Sequence, residues 1–136
     1  MPQFKFKNIS ELSDIAQYLL KDFPDNKIFA INGNMGVGKT IFIAEICKQL
    51  QVVDIVTSPS FSIVNEYKRN NGEKIFHFDA YRIKDIKEFY DIGYEYYFFS
   101  GYYNFIEWAD KIRELLPDNC VYIELTEYKN IRTIKF

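Results

Sequence analysis

The sequence is poor in the residues that mark several common chemistries. Its 136 residues include two cysteines, Cys47 and Cys120, with no C-x-x-C spacing, and a single histidine, His77. That inventory excludes a four-ligand zinc centre of the usual kind and favours a reducing compartment, so a cytoplasmic location is expected. Arginine occurs only at Arg69, Arg82, Arg113 and Arg132, with no cluster among them. Formal net charge is −2, which leaves no electrostatic footprint for a direct grip on nucleic acid. Long apolar runs are missing as well. Stretches such as Ile28–Ile31 fall far short of a bilayer span, and no basic segment followed by an apolar one opens the chain. Neither a membrane span nor an export signal is therefore expected. Internal repeats, low-complexity tracts and linkers are absent. With 48% apolar and 26% charged residues, the chain reads as a single globular domain over residues 1–136.

Aromatics are what the sequence has in excess: 13 Phe and 11 Tyr, clustered at Phe89–Phe105. Core packing is the favoured explanation of the cluster, and an exposed docking patch is the alternative. Residues 4–7 alternate as a short strand. Ser10 is placed as the N-cap of a helix whose apolar face is Leu12, Ile15, Ala16 and Leu19. Lys27–Asn32 suits a strand buried on both faces, Gly33–Gly38 is a glycine-rich turn, and from Lys39 the spacing of Ile43, Ile46, Cys47 and Leu50 gives a second helix. Residues 53–56 read as another buried strand. Two extended runs, 61–68 and 74–79, flank Arg69-Asn70-Asn71-Gly72, a hairpin signal. Asp85 is placed as the cap of a short helix ending at Gly93. Tyr103–Glu107 reads as a parallel strand, and residues 108–116 as a helix stopped by Pro117. Strands 120–125 and 130–136 follow, with a turn at Thr126–Lys129. The class is α/β, with a mainly parallel sheet flanked by helices and an antiparallel hairpin insertion.

The strongest local signal is Gly33-Asn34-Met35-Gly36-Val37-Gly38-Lys39-Thr40, which fits G-x-x-x-x-G-K-[ST] between a strand and a helix. Glycines let the backbone close around phosphates with its N–H groups inward, and the helix adds the positive end of its dipole. Lys39 supplies a point charge for the β- and γ-phosphates, and Thr40 a hydroxyl for Mg²⁺. By chance the pattern arises in roughly one chain of this length in several hundred, before the flanking elements are considered. ATP and Mg²⁺ are thus the expected ligands of a P-loop NTPase fold.

Such a loop needs an acidic partner at the end of a neighbouring strand, and Asn104-Phe105-Ile106-Glu107 supplies it. Glu107 is placed at the metal with Thr40. In His77-Phe78-Asp79-Ala80-Tyr81-Arg82, side-chain alternation puts His77 and Asp79 on one face. Asp79 is placed to orient the attacking water, which makes Asp79, Lys39 and Glu107 the catalytic set. His77 is read as a structural histidine, and Arg82 as either an ion pair or a phosphate contact. Ser58–Phe61 lies where an NTPase has its γ-phosphate-sensing loop, although taken alone Ser58-Pro59 is an ordinary turn.

Taken together, Gly33–Thr40, Thr57–Tyr67, the H-x-D-x-Y-R element at His77–Arg82, Ile92-Gly93 and Ile106-Glu107-Trp108 resemble the TsaE (YjeE) family over nearly the whole chain. The resemblance implies a small bacterial P-loop ATPase needed to make threonylcarbamoyl adenosine at position 37 of tRNA. It implies partners like TsaB and TsaD, with tRNA reached only through that complex. It further implies phosphate binding by Lys39 and the loop amides, Mg²⁺ on Thr40 and Glu107, a hydrolytic role for Asp79, and a switch at Ser58–Phe61. Trp108 would lie beside the metal-binding glutamate, adenine contacts would come partly from Asn8–Glu11, and the aromatic region Tyr90–Tyr103 becomes a candidate docking surface. Two departures stand out. Ile41 follows Thr40 where the family has a second threonine in the phosphate-binding segment, and Ser60 replaces the threonine of S-P-T. The competing functions are a small-molecule P-loop kinase, which the scattered arginines disfavour, and a nucleotide sensor without turnover.

Overall fold

The computed structural model describes residues 2–34, 36–59 and 62–136. Its strands are β1 (Gln3–Phe6), β2 (Ile28–Gly33), β3 (Val64–Lys68), β4 (Lys74–Asp79), β5 (Tyr103–Glu107), β6 (Val121–Tyr128) and β7 (Ile131–Lys135). Its α-helices are α1 (Leu12–Asp22), α2 (Lys39–Gln49), α3 (Lys87–Asp91) and α4 (Tyr94–Phe98). The strands form one sheet in the order β1-β7-β6-β2-β5-β4-β3.

Alternation along β2 divides the core. Phe29 and Ile31 face α1 and α2, where Leu19, Phe42, Ile43 and Ile46 are buried, while Ile28 and Ala30 face the opposite layer with Phe89, Phe98 and Ile112. A central strand must be apolar on both sides to do this, which is why 28–31 reads as a continuous run. The central strands β6, β2, β5 and β4 are parallel. Both flanks are antiparallel: β3 on β4, β7 on β6 and β1 on β7. The sheet is therefore mixed, parallel only at its centre. Short connections account for two of these pairs, five residues between β3 and β4 and two between β6 and β7, while β1 extends the sheet by pairing with β7. At the β6–β7 hairpin, Lys129 and Asn130 both have positive φ, as a two-residue turn demands, so β6 runs on to Tyr128 and the turn is later and shorter than Thr126–Lys129.

Several local expectations are corrected. Ser10 does not cap α1. It lies inside a 3-10 turn, Ile9–Glu11, that leads into α1, and the Glu11 carboxylate accepts the amides of Asn8 and Lys7 at 2.9 Å. These two bonds hold the Glu11 carboxyl below its ordinary range. Residues 53–56 are not a buried strand: Val53 is 66% and Ile55 86% exposed, and they adjoin an isolated bridge from Val52 to Arg69, with the Val53 amide on the Lys68 carbonyl. Four apolar-rich residues carry too little periodicity to distinguish a strand from a loop. The helix at 108–116 is a 3-10 segment, Ala109–Leu115, kinked at Ile112. Asp85 accepts the Lys87 amide at 3.0 Å but lies one residue before the N-cap of α3, which is Ile86, and Gly93 leads straight into α4.

The aromatic excess is mostly core. The Tyr97 ring meets Phe76 and Phe78 edge-on at 4.8 and 5.3 Å, Phe98 lies against Phe78, and buried Asn104 donates to the Tyr97 carbonyl at 3.0 Å. Tyr90, Tyr96 and Phe99 remain exposed. Among the described residues no helix is long and apolar enough to cross a membrane.

The contrast between 53–56 and α2 is testable by urea denaturation. Ile55→Ser should change stability by less than about 0.5 kcal/mol, as exposed sites do. Ile43→Ala should cost roughly 2–5 kcal/mol. A loss of ~2 kcal/mol at Ile55 would restore the buried-strand reading.

Candidate functional site

Parallel β2, β5 and β4 end side by side, and each ends on a residue placed at the site from sequence. After β2 comes the loop 33–38, β5 ends on Glu107, and β4 ends on Asp79, which is in register with Glu107. Ligands in open α/β sheets sit at such carboxyl ends. A cleft of about 280 Å³ opens there, lined by Gly36, Gly38, Lys39, Thr40, Ile41, Ser58, Asp79, Tyr81, Glu107 and Trp108.

The loop geometry depends on two glycines for different reasons. Gly38 starts α2 with φ of +110°, a conformation strained for any side chain. Gly33 has no such need. It stands in register with Leu125 of β6, and a Cβ there would lie 2.6 Å from the Leu125 carbonyl oxygen and 2.8 Å from Val37 Cγ1. Met35 lies outside the described residues, as do Ser60 and Phe61 of the expected switch.

Lys39 is 5% exposed. Its Nζ donates to the carbonyls of Gly33 (2.6 Å) and Asn34 (3.0 Å) and lies 4.2 Å from the centre of the Trp108 ring. Burial pushes the Lys39 ammonium below its ordinary pKa, and the nearby Glu107 and Asp79 carboxylates offset part of that. Trp108 reaches this place because it takes a left-handed conformation (φ +57°) directly after β5. Its ring also packs against Tyr81, 5.0 Å away.

Glu107 is 3% exposed and is held from three sides. The Thr40 hydroxyl donates to it at 3.0 Å, Ser58 Oγ at 3.3 Å, and His77 Nε2 lies 2.6 Å from Oε2. Ser58 Oγ also reaches Thr40 Oγ1 (3.2 Å) and Asp79 Oδ2 (3.4 Å). Asp79 keeps its other oxygen on the Tyr81 amide at 2.9 Å. The cluster is thus one carboxylate flanked by hydroxyls, with a second carboxylate adjacent. Such an all-oxygen donor set suits Mg²⁺, which is held by one or two carboxylates and completes its shell with phosphate and water.

Of the residues placed from sequence, Gly36, Gly38, Lys39, Thr40, Ile41, Ser58, Asp79, Glu107 and Trp108 converge on the cleft, whereas Gly33 and Asn34 line a separate hollow with Glu124 and Thr126, and Val37 is buried in the core. Arg82 sits beyond Asp79 in a neighbouring cavity with Ile83 and Glu88. Asn8 and Glu11 line a separate hollow with Lys5, Lys7 and Ile131. Two residues to which the sequence assigns no individual role lie close to the site. Tyr67 is buried, with its hydroxyl 2.9 Å from His77 Nδ1. Its signal was available: it faces Ile75 across the hairpin and so lies diagonal to His77. Arg132 of β7 carries no such signal. Its Nε is paired to Glu127 at 3.0 Å, and its Nη1 lies 3.4 Å from where a Cβ on Gly38 would stand.

The family model described as threonylcarbamoyl adenosine biosynthesis protein TsaE matches residues 6–134. Among curated proteins, the tRNA threonylcarbamoyladenosine biosynthesis protein TsaE of Rickettsia felis is 34% identical over 120 residues, spanning 87% of this chain and 68% of the relative. The protein of the same name from Bacillus subtilis is 33% identical over 120 residues, spanning 86% and 73%. Among solved structures, Bacillus subtilis YdiB superposes with a TM-score of 0.73 at 27% identity, covering 98% of this chain and 82% of that one.

Gly33→Ala should cost about 1–3 kcal/mol by overpacking, since the obstacle is backbone that cannot rotate away. Thermal unfolding that matches wild type would mean that β6 yields freely at Leu125.

Proposed function

The chain belongs to the TsaE family, and from that premise we propose that it is a Mg²⁺-dependent ATPase. It would serve as the accessory subunit of a TsaB-like and TsaD-like machinery that makes N6-threonylcarbamoyladenosine at position 37 of tRNA. The observation that carries this reading is the convergence of Lys39, Thr40, Glu107, Ser58 and Asp79 in one cleft at the carboxyl ends of β2, β5 and β4.

Each residue has a task there. The amides of the loop and the first turn of α2 face the phosphates, and Lys39 exchanges its two carbonyl acceptors for phosphate oxygens. Thr40 and Glu107 hold Mg²⁺, which when bound neutralises charge on the β- and γ-phosphates. Asp79 lies beside this pair and accepts hydrogen bonds, so it orients the attacking water. Trp108 and Tyr81 wall the cleft and limit solvent around Lys39. An arginine supplied by a partner raises turnover by orders of magnitude in related chemistry. The scattered arginines of this chain fit slow hydrolysis alone and faster hydrolysis with the cognate complex.

Calorimetry and steady-state phosphate release test the assignment. Lys39→Ala should weaken ATP at least tenfold, about 1.4 kcal/mol or more. Unchanged affinity would remove the phosphate site. Thr40→Ala and Glu107→Ala should weaken Mg²⁺-ATP more than metal-free ATP. Equal losses would mean that the metal lies elsewhere. Asp79→Asn should leave affinity near wild type and slow turnover by ~100-fold or more. An equal fall in binding would make Asp79 a ligand or a folding residue.

A further inference from the structure

We propose that Tyr67 and His77 act as a positioning relay that ties the backbone at Thr57, one residue before Ser58, to the Glu107 carboxylate. The inference rests on the reading of Glu107 as the metal-side carboxylate and adds to it a route by which the neighbouring loop and that carboxylate move together.

The route is continuous and buried. His77 has no exposed surface, and both of its ring nitrogens are engaged, Nε2 with Glu107 Oε2 at 2.6 Å and Nδ1 with Tyr67 Oη at 2.9 Å. The Tyr67 hydroxyl has one proton and two groups within reach, the Thr57 carbonyl at 2.8 Å and His77 Nδ1 at 2.9 Å, and the imidazole tautomer decides its direction toward the ring. The Thr57 amide in turn donates to Tyr67 Oη at 3.2 Å. The Thr57 peptide, the Tyr67 hydroxyl, the His77 imidazole and the Glu107 carboxylate form one continuous hydrogen-bonded chain, and such chains strengthen each member. The Thr57 carbonyl is an acceptor for the Tyr67 hydroxyl at 2.8 Å and for Asn65 Nδ2 at 3.0 Å, so the peptide is held at its amide and its carbonyl by β3.

Two consequences follow. First, His77 takes one oxygen of Glu107 at short range, which fixes the rotation of the carboxylate and leaves Oε1 with Thr40 as its one protein donor among the described residues. Partners of this kind behind a ligand orient it and tune its affinity. Second, the loop at Thr57–Ser58 reaches Glu107 twice, directly through Ser58 Oγ and indirectly through Thr57, Tyr67 and His77. Loop order and carboxylate orientation are therefore one equilibrium. A histidine kept only to fill the core would need neither the carboxylate nor a tyrosine that returns to the loop.

The test uses ADP with and without MgCl2 on the full chain. Calorimetry measures the Mg²⁺ enhancement of ADP affinity, and amide hydrogen exchange by NMR reports on Thr57. Tyr67→Phe deletes one oxygen and keeps the ring. It should leave metal-free ADP affinity within about twofold and cut the Mg²⁺ enhancement by about tenfold, the scale of lost ligand support. In wild type, Mg²⁺-ADP should raise protection of the Thr57 amide, and in Tyr67→Phe it should not. His77→Gln, which retains an N–H donor, should recover much of the enhancement that His77→Leu loses. A wild-type Mg²⁺ response that Tyr67→Phe leaves intact in both readouts would overturn the relay alone. An equal loss of metal-free and Mg²⁺-bound affinity in a well-folded Tyr67→Phe would reduce the pair to a structural role. Absence of any Mg²⁺ enhancement in wild type would instead strike the metal reading of Glu107, and the relay with it.

Discussion

A carboxylate removed from water costs several kcal/mol unless donors replace its solvent, and Glu107 is almost wholly removed. Its donors come from three other parts of the chain: Thr40 in the first turn of α2, Ser58 in the loop after α2, and His77 in β4. Each bond fixes a relation that the hydrophobic core leaves loose. The core sets which face of each element is buried, but apolar contacts tolerate small slides. A buried carboxylate does not, because a displaced donor leaves a charge unsatisfied. The start of α2, the β4–β5 register and the path of residues 57–58 are thus set by one side chain.

The same constraint gathers the chemistry. With β2, β5 and β4 parallel and adjacent, their carboxyl ends share one edge of the sheet. The loop after β2 brings Lys39 to that edge, and Trp108 covers it from the end of β5. Lys39 gives up part of its preference for the charged form in this setting, and the two carboxylates nearby limit the loss. A cation held where water is scarce acts more strongly on an anionic ligand than the same cation on the surface.

How far the sequence foretold this depends on range. β2, α2 and β5 were legible because each carries its own signal: a doubly buried run, a 3.6-residue stripe, and an apolar strand that ends on an acid. The hairpin β3–β4 was legible from its turn chemistry. Residues 53–56 misled because four residues resemble a strand whether or not anything covers them, and Ile55 is left in solvent. The antiparallel flanks were underestimated because strand direction is decided by which strands pair, a tertiary matter. Within the site, Lys39, Thr40, Asp79 and Glu107 stand in local motifs at element ends. Tyr67 and Arg132 act across strands and loops, at separations where sequence spacing carries no geometry. The family resemblance drawn from the motifs agrees with the match over residues 6–134.

In the proposed function, Thr40 and Glu107 together hold the metal of a bound nucleotide. That assignment is tested most directly by a crystal structure of the chain with a non-hydrolysable ATP analogue and Mn²⁺, the ion located by its anomalous scattering. The Mn²⁺ peak should lie against Thr40 Oγ1, with Glu107 on the ion directly or through a water and Lys39 Nζ moved from the Gly33 and Asn34 carbonyls to phosphate oxygen. A nucleotide bound with its ion away from both side chains, and the Thr40 hydroxyl still on Glu107, would contradict it.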